Sequence, residues 1–360
     1  MPKKSISGLI KRKGVWHIDK VIYGIRICKS CGTSSIAEAE ILLSKLTEQT
    51  RQAYLFGTRP QRTFREAAKK FIDENQHKRS IRNDESRIGL LLPWIGDLPI
   101  DSLHMETLRP WVQKRQHEGS AAGTINHGLK VVRRILNLAS TEWHDQHGLT
   151  WLLYAPKIKL LPDNDKRQPY PMNWEEQDRL FNELPDHLRQ MALFGVNTGC
   201  RDQEICNLRW EWEIKVPELN TSVFLIPSGY VKNKYDRLVV LNDTVMNVIE
   251  EQRGQHEEFV FTYNGEPTKR MLNSAWLRAR KDANLTQVRV HDLKHTYGRR
   301  LRAAGVSFED RQDLLGHKSG RITTHYSAAE LTNLIKAANS VNRENLESKP
   351  IVILRRNIEI

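Results

Sequence analysis

The stretch LPDNDKRQPYP at residues 161–171 mixes Pro, Asp, Asn and basic residues without apolar periodicity, so neither a helix nor a strand can run through it. A chain of 360 residues is too long for one ordinary core, and this break marks where it divides. Asn173 with Glu176 has the capping-box pattern that opens a new helix directly afterwards. The boundary is therefore expected between residues 162 and 163.

Upstream, residues 6–34 run as three short alternating segments, GLIKRKG, VWHIDKVIYG and IRICKSCGTSS, with Gly at the turns. This predicts a small three-stranded sheet, followed by a helix over 36–54. Lys11, Arg12 and Lys13 belong to a basic set opposed by Asp19 alone. A basic sheet backed by a helix can lay strands in a DNA groove; a solvated basic terminus fits the same residues. After GTRPQR, Thr63 and Glu66 form another capping box, and helical patterns continue to about residue 147. Ile125, Leu129, Val132 and Leu136 recur on one face, which should be buried. Lys114, Arg115, Lys130, Arg133 and Arg134 can face phosphates, or simply water. The expected divisions are a basic sheet-and-helix domain (1–56), a helical domain (57–162), a third domain (163–340) and a tail (341–360).

In the third domain, helices are expected near 174–184, 187–198, 202–211, 243–253, 268–282, 291–304, 307–315 and 320–327, with strands around 221–227 and 235–241. The fold class is thus multidomain and mainly α, with small β elements. Leu331, Leu334, Ile335 and Ala338 give a further helix one apolar face. That face can dock on a neighbouring copy or pack on its own domain.

Lys plus Arg number 56 against 43 Asp plus Glu, a net charge of +13 in a chain of ordinary hydrophobic content. The balance favours a polyanionic partner, nucleic acid or an acidic membrane face. Four cysteines do not make a disulfide framework in a chain this long, and no apolar run suits a signal peptide or a membrane span. A soluble, cytoplasmic protein is expected.

The last third carries polar residues in a fixed order: Arg201 in NTGCR, Lys232 in VKNKYDRLVVL, His291 and Lys294 in HDLKHT, His317 in LLGHK and Tyr326 in TTHY. Such a set suits phosphodiester cleavage: cations and hydrogen-bond donors clamp the phosphate, a titratable group moves a proton, and a phenol attacks phosphorus. No metal or other cofactor is required. Arg201, following the Gly199 turn, is a natural bidentate phosphate ligand. Glu204 lies one helical turn on and can fix Arg201 or a nearby His by hydrogen bonding, or can merely be a first-turn helix acid. Lys232 sits between two strands, where an amine can protonate a leaving oxygen.

His291 and His295 have the spacing of a zinc pair, but Asp292 stands where the metalloprotease pattern needs Glu. Cys28 and Cys31 are spaced as a zinc half-site without two further cysteines beside them. Neither is read as a metal site. A phenol is a poor nucleophile near pH 7 unless cations stabilise its anion, and the basic cluster around Tyr326 in the series can supply them.

In this ordered set, and along essentially its whole length, the chain resembles the tyrosine recombinases, in particular integrases of temperate phages and integrative elements. The resemblance implies a basic arm-type DNA-binding domain, a helical core-binding domain and a catalytic domain. By position, Arg201 matches the first catalytic arginine, and Lys232 the hairpin lysine that protonates the 5′ oxygen. His291 and His317 match the two histidines that hold the phosphate and manage protons, and Tyr326 matches the nucleophile of a 3′-phosphotyrosine. Lys294 departs from the pattern, which usually has a second arginine; it keeps the charge and loses the planar fork.

The implied partners are double-stranded attachment-site DNA, further copies of the chain in a tetramer, and an excisionase or host DNA-bending protein, in the cytoplasm and nucleoid of a bacterial host. No membrane partner is implied. Two other functions fit the same residues: a sequence-specific DNA-binding protein that does not cleave, and a Xer-type resolvase or invertase.

Overall fold

Two tight turns make the N-terminal meander. Lys13 and Gly14 join β1 (Leu9–Arg12) to β2 (Val15–Ile22), and Tyr23 and Gly24 join β2 to β3 (Ile25–Ser30). All four turn residues have positive φ (48°, 86°, 49° and 79°), the requirement of a two-residue turn whose twist matches its strands. The sheet order is β1-β2-β3, antiparallel throughout. Ile18, Ile22 and Ile27 pack on Leu43 and Leu46 of α1 (Ile36–Phe56). Lys11, Arg12 and Lys13 are exposed.

The structure, a computed structural model, describes residues 7–162, 167–316 and 328–346. The chain divides between Arg167 and Gln168 into two compact units. In the first, α2 (Phe64–Glu74), α3 (Ile81–Ile95), α4 (Met105–His117) and α5 (Ala122–Thr141) form a helical bundle. Thr63 accepts from the Glu66 N–H at 3.2 Å while the Glu66 carboxylate accepts from the Thr63 N–H at 2.7 Å, so the capping box is complete. Ile125, Leu129, Val132 and Leu136 are all buried, the face their spacing predicts. Gly128 lets α5 close on α4: a Cβ there would lie 2.5 Å from the Trp111 ring. His127, Lys130, Arg133, Arg134 and Asn137 are exposed along the other side of α5.

The second unit begins with α6 (Trp174–Glu183), capped by Asn173 and Glu176 as expected, followed by α7 (Asp186–Thr198) and α8 (Asp202–Cys206). Strands β4 (Glu213–Val216), β5 (Thr221–Ile226) and β6 (Arg237–Val240) form an antiparallel sheet in the order β4-β5-β6. Then come α9 (Asp243–Gln252), a ribbon of β7 (Thr262–Tyr263) and β8 (Glu266–Pro267), α10 (Ser274–Asp282), α11 (His291–Ala303), α12 (Phe308–Leu314), α13 (Ala328–Asn339) and α14 (Arg343–Leu346). Helix α7 runs through the core, against α9 and α11.

Three local expectations need correction. The helix expected over 202–211 stops at Cys206, because Arg209 bridges to Phe259 and Leu208 accepts from the Val260 N–H. The helix expected over 268–282 starts at Ser274, where Asn273 caps it; the preceding residues are held out of helix by Asp202, which accepts from the Met271 N–H at 2.8 Å. Strand β4 was not foreseen, its sequence EIKV being too short to show alternation. The helix expected over 320–327 lies outside the described residues.

The apolar face of α13 is covered by its own unit: Leu331, Leu334 and Ala338 are buried with Tyr297, Leu301, Leu314 and Val240. Among the described residues, no helix is long and apolar enough to cross a membrane.

Candidate active site

Gly199 ends α7 in the left-handed region, with φ 62°, and turns the chain toward Arg201. The turn is tight. A Cβ on Gly199 would lie 2.8 Å from the Tyr297 ring and 3.0 Å from Leu315, so only glycine fits both the angle and the space. Arg201 follows as the residue before α8, its side chain 24 % exposed.

Glu204, one turn into α8, is 2 % exposed and organises the site. One carboxylate oxygen accepts from Arg201 Nη1 at 2.7 Å; the other accepts from the Arg201 backbone N–H at 2.8 Å and from Arg237 Nη1. Burial alone would raise this carboxyl, but the Arg237 charge and the Arg201 hydrogen bonds hold it below its ordinary value. Of the roles open to Glu204, the one its contacts fit is holding Arg201. The Arg201 backbone N–H is likewise taken by Glu204.

Arg237 was not foreseen as part of the site. It begins β6 at 2 % exposure, and its Nη2 donates to the carbonyls of Thr198 (3.2 Å) and Leu314 (3.4 Å). Among the described residues its Nε has no partner. A basic residue at the head of the apolar run LVV was the available signal, since an unpaired charge is not buried in a strand.

Lys294, on α11, is 6 % exposed. Its Nζ donates to the Gly199 carbonyl at 2.7 Å and to the Leu315 carbonyl. Burial, followed by the Arg237 and Arg201 charges, pushes this amine down to about 7. Two of the three hydrogens of its ammonium form are therefore engaged with backbone oxygens.

His291, at the start of the same helix, is exposed, and its ring meets that of His295 edge-on at 4.8 Å. Desolvation, followed by His295, Lys294 and Arg201, holds His291 below its ordinary value, so it is neutral near pH 7 and able to accept a proton. Lys232 is exposed in the turn between β5 and β6. The neighbouring Asn233 donates to the Gly316 carbonyl at 3.3 Å, which ties this hairpin to the residue before His317. His317 and Tyr326 themselves lie outside the described residues.

Arg201, Glu204, Arg237 and Lys294 therefore share one locus, with His291 one turn from Lys294 and Lys232 in the adjoining hairpin. The basic residues expected to contact DNA, Lys11, Arg12, Lys13, Lys130, Arg133 and Arg134, all belong to the first unit and are exposed.

Residues 172–332 match the model of the Phage integrase family. The chain is 27 % identical to the integrase of Salmonella phage P22, across 93 % of this chain and 94 % of that one. Its fold is similar to that of lambda integrase in a dimer bound to a COC' core site, with a TM-score of 0.56 at 14 % identity, covering 98 % of this chain and 100 % of the other. It is also similar to lambda integrase in a tetramer bound to a Holliday junction, with a TM-score of 0.55 at 14 % identity, covering 90 % and 99 %. With the locus at the Gly199 turn and a family match spanning it, the comparisons support a tyrosine recombinase of the phage integrase type.

Proposed function

We propose that the chain is an integrase, a site-specific DNA recombinase that cuts and rejoins attachment-site DNA to insert or excise a mobile element. Residues 1–56 bind arm-type sites through Lys11, Arg12 and Lys13. Residues 57–162 grip the core site with Lys130, Arg133 and Arg134, and residues 163–340 carry the chemistry.

In that chemistry Arg201 holds the scissile phosphate as a bidentate ligand, oriented by Glu204, while Lys294 adds positive charge. The Tyr326 phenol oxygen attacks phosphorus as its proton leaves to a base, for which neutral His291 or His317 is suited. The 5′ oxygen departs with a proton from Lys232, and the 3′ end stays bonded to tyrosine. One phosphoester bond forms as one breaks, so the 5′ hydroxyl of a partner strand can reverse the step without ATP. Charge comes from side chains, so no cofactor enters.

One observation carries this reading. Arg201, Arg237 and Lys294 gather around a single buried carboxylate, Glu204, and leave a surplus of positive charge beside the partly exposed Arg201. A phosphodiester would neutralise that surplus. The exchange of strands calls for four copies on two DNA sites, in line with the lambda integrase tetramer on a Holliday junction. Work on host DNA places the chain in the bacterial cytoplasm and nucleoid, assisted by an excisionase or a DNA-bending protein.

The test is a nicked suicide substrate carrying the attachment site, incubated with the full chain in EDTA. A covalent protein–DNA adduct should form, and Tyr326→Phe should abolish it. An adduct undiminished by that substitution would remove Tyr326 as nucleophile. Salt-sensitive binding with no adduct would instead favour a non-cleaving DNA-binding protein.

A further inference from the structure

Two segments distant in sequence, the Thr198–Arg201 turn and Leu314–Gly316, meet along a seam with almost no side-chain room. Gly199 has φ 62°, and a Cβ there would press on Leu315; Gly316 has φ 57°, and a Cβ there would lie 2.7 Å from Arg237 Nε and 3.0 Å from its Cζ. Two buried cations cross this seam, each with one carbonyl from either side. Arg237 donates to Thr198 and Leu314, and Lys294 to Gly199 and Leu315. The first segment leads into Arg201 and the second into His317.

The number of hydrogens on the amine gives this arrangement a consequence. An ammonium carries three, and among the described residues two go to the carbonyls of Gly199 and Leu315. A neutral amine carries two, which the same carbonyls exhaust; a lone pair then stands where a third hydrogen would, and it repels an anion. We propose that Lys294, with Arg237, joins the Arg201 turn to the segment before His317, and that only its ammonium form retains a hydrogen and a charge for the phosphate. DNA engagement then selects the protonated site and takes up a proton wherever the free protein holds Lys294 neutral.

Charged and titratable groups on every side act on this locus. Arg201, Glu204 and Cys200 lie at the α7–α8 junction, Arg237 on β6, and His291 and Tyr297 on α11. Only Glu204 among them is an anion near neutral pH, because burial raises both the Cys200 thiol and the Tyr297 phenol. Burial first, and the surplus of positive charge after it, therefore disfavour the ammonium until a phosphate arrives, in keeping with an amine brought down to about 7.

The inference rests on the recombinase reading of this site, and the experiment separates the two. Initial rates of adduct formation on the suicide substrate, at subsaturating DNA, are measured for the full chain, Lys294→Arg and Lys294→Met between about pH 6 and pH 9, where a guanidinium does not titrate. The ratio of the wild-type rate to the Lys294→Arg rate cancels titrations common to both. It should be level at the acid end and fall toward about tenfold per unit well above pH 7, as one essential proton requires. Lys294→Met should be slower than wild type by at least about tenfold at pH 6, with no alkaline limb of its own in the same ratio. Lys294→Arg keeps the charge and carries the test if Lys294→Met does not fold. A ratio independent of pH, or Lys294→Met at wild-type rates, would overturn the proposal. Absence of any wild-type adduct at every pH would remove the recombinase reading, and this inference with it.

Discussion

Lys130, Arg133 and Arg134 stand in water along α5, whereas Arg237 and Lys294 are 2 % and 6 % exposed in the C-terminal unit. The two sets share a charge and little else. An exposed cation is solvated in any conformation, costs almost nothing to fold, and attracts any polyanion through a field that salt screens. A buried cation gives up its hydration and must recover it from fixed partners, so its geometry is specified and its charge state depends on what surrounds it. Attraction to DNA can be built from the first kind. Alignment of a reacting phosphate needs the second.

The sharpest way to break this contrast is to remove the one carboxylate the buried set depends on. Glu204→Ala leaves Arg237 in the core with only carbonyl partners and frees Arg201 to swing. Stripping one partner from a buried pair should cost about 3–5 kcal/mol, read from urea unfolding of the full chain, and adduct formation should fall with it. A loss no larger than about 0.5 kcal/mol, the size typical of surface substitutions, would mean that the buried pair behaves like an exposed one.

The pH dependence of folding is a second, smaller probe. The Lys294 amine ordinarily titrates at 10.5 and is brought down to about 7 in the folded protein. Between those values the unfolded chain holds a proton that the folded chain has released, so the stability of the fold rises with pH across that window. The gain is lost again as pH falls through about 7. Wild type should therefore gain on the order of a few kcal/mol over Lys294→Met as pH climbs from near 7 toward 10, measured by urea unfolding at each pH. A difference between the two proteins that does not change with pH would show the amine charged throughout. Stability and reactivity run in opposite directions here: the neutral amine favours the empty fold, and the ammonium favours the phosphate.

How much of this was legible beforehand depended on the range of each interaction. The hairpin turns at Gly14 and Gly24, the Thr63–Glu66 box and the buried face of α5 are written in neighbouring residues, and the structure has them where periodicity and turn chemistry put them. The role of Lys294 was not readable. Its partners are carbonyl oxygens 95 and 21 residues away, and a backbone carbonyl carries no sequence signature. The partners of Arg237 are hidden for the same reason, since it reaches Glu204 across 33 residues and Leu314 across 77. The early end of α8 likewise follows from pairing of Leu208 and Arg209 with the distant segment at Phe259 and Val260. Resemblance could place Arg201 and His291 by order alone, but what a side chain does once there depends on neighbours that only folding assembles.

The smallest effect on folding should come from the exposed set, and for that reason it isolates attraction from architecture. Replacing Lys130, Arg133 and Arg134 together by Ala removes no buried side chain and puts a better helix former at each position, so unfolding free energy should shift by no more than about 0.5 kcal/mol per site. Binding to duplex core-site DNA should nonetheless weaken, and the slope of log affinity against log salt should become shallower by about 0.9 for each phosphate no longer neutralised, or roughly 3 if all three residues engage. The weakening should be similar for specific and unrelated duplexes, since cations on the phosphate backbone carry no sequence information. An unchanged salt slope would assign the α5 stripe to solvation alone and move the DNA grip of the first unit elsewhere. A changed slope accompanied by a large loss of stability would erase the division between charges that attract and charges that build.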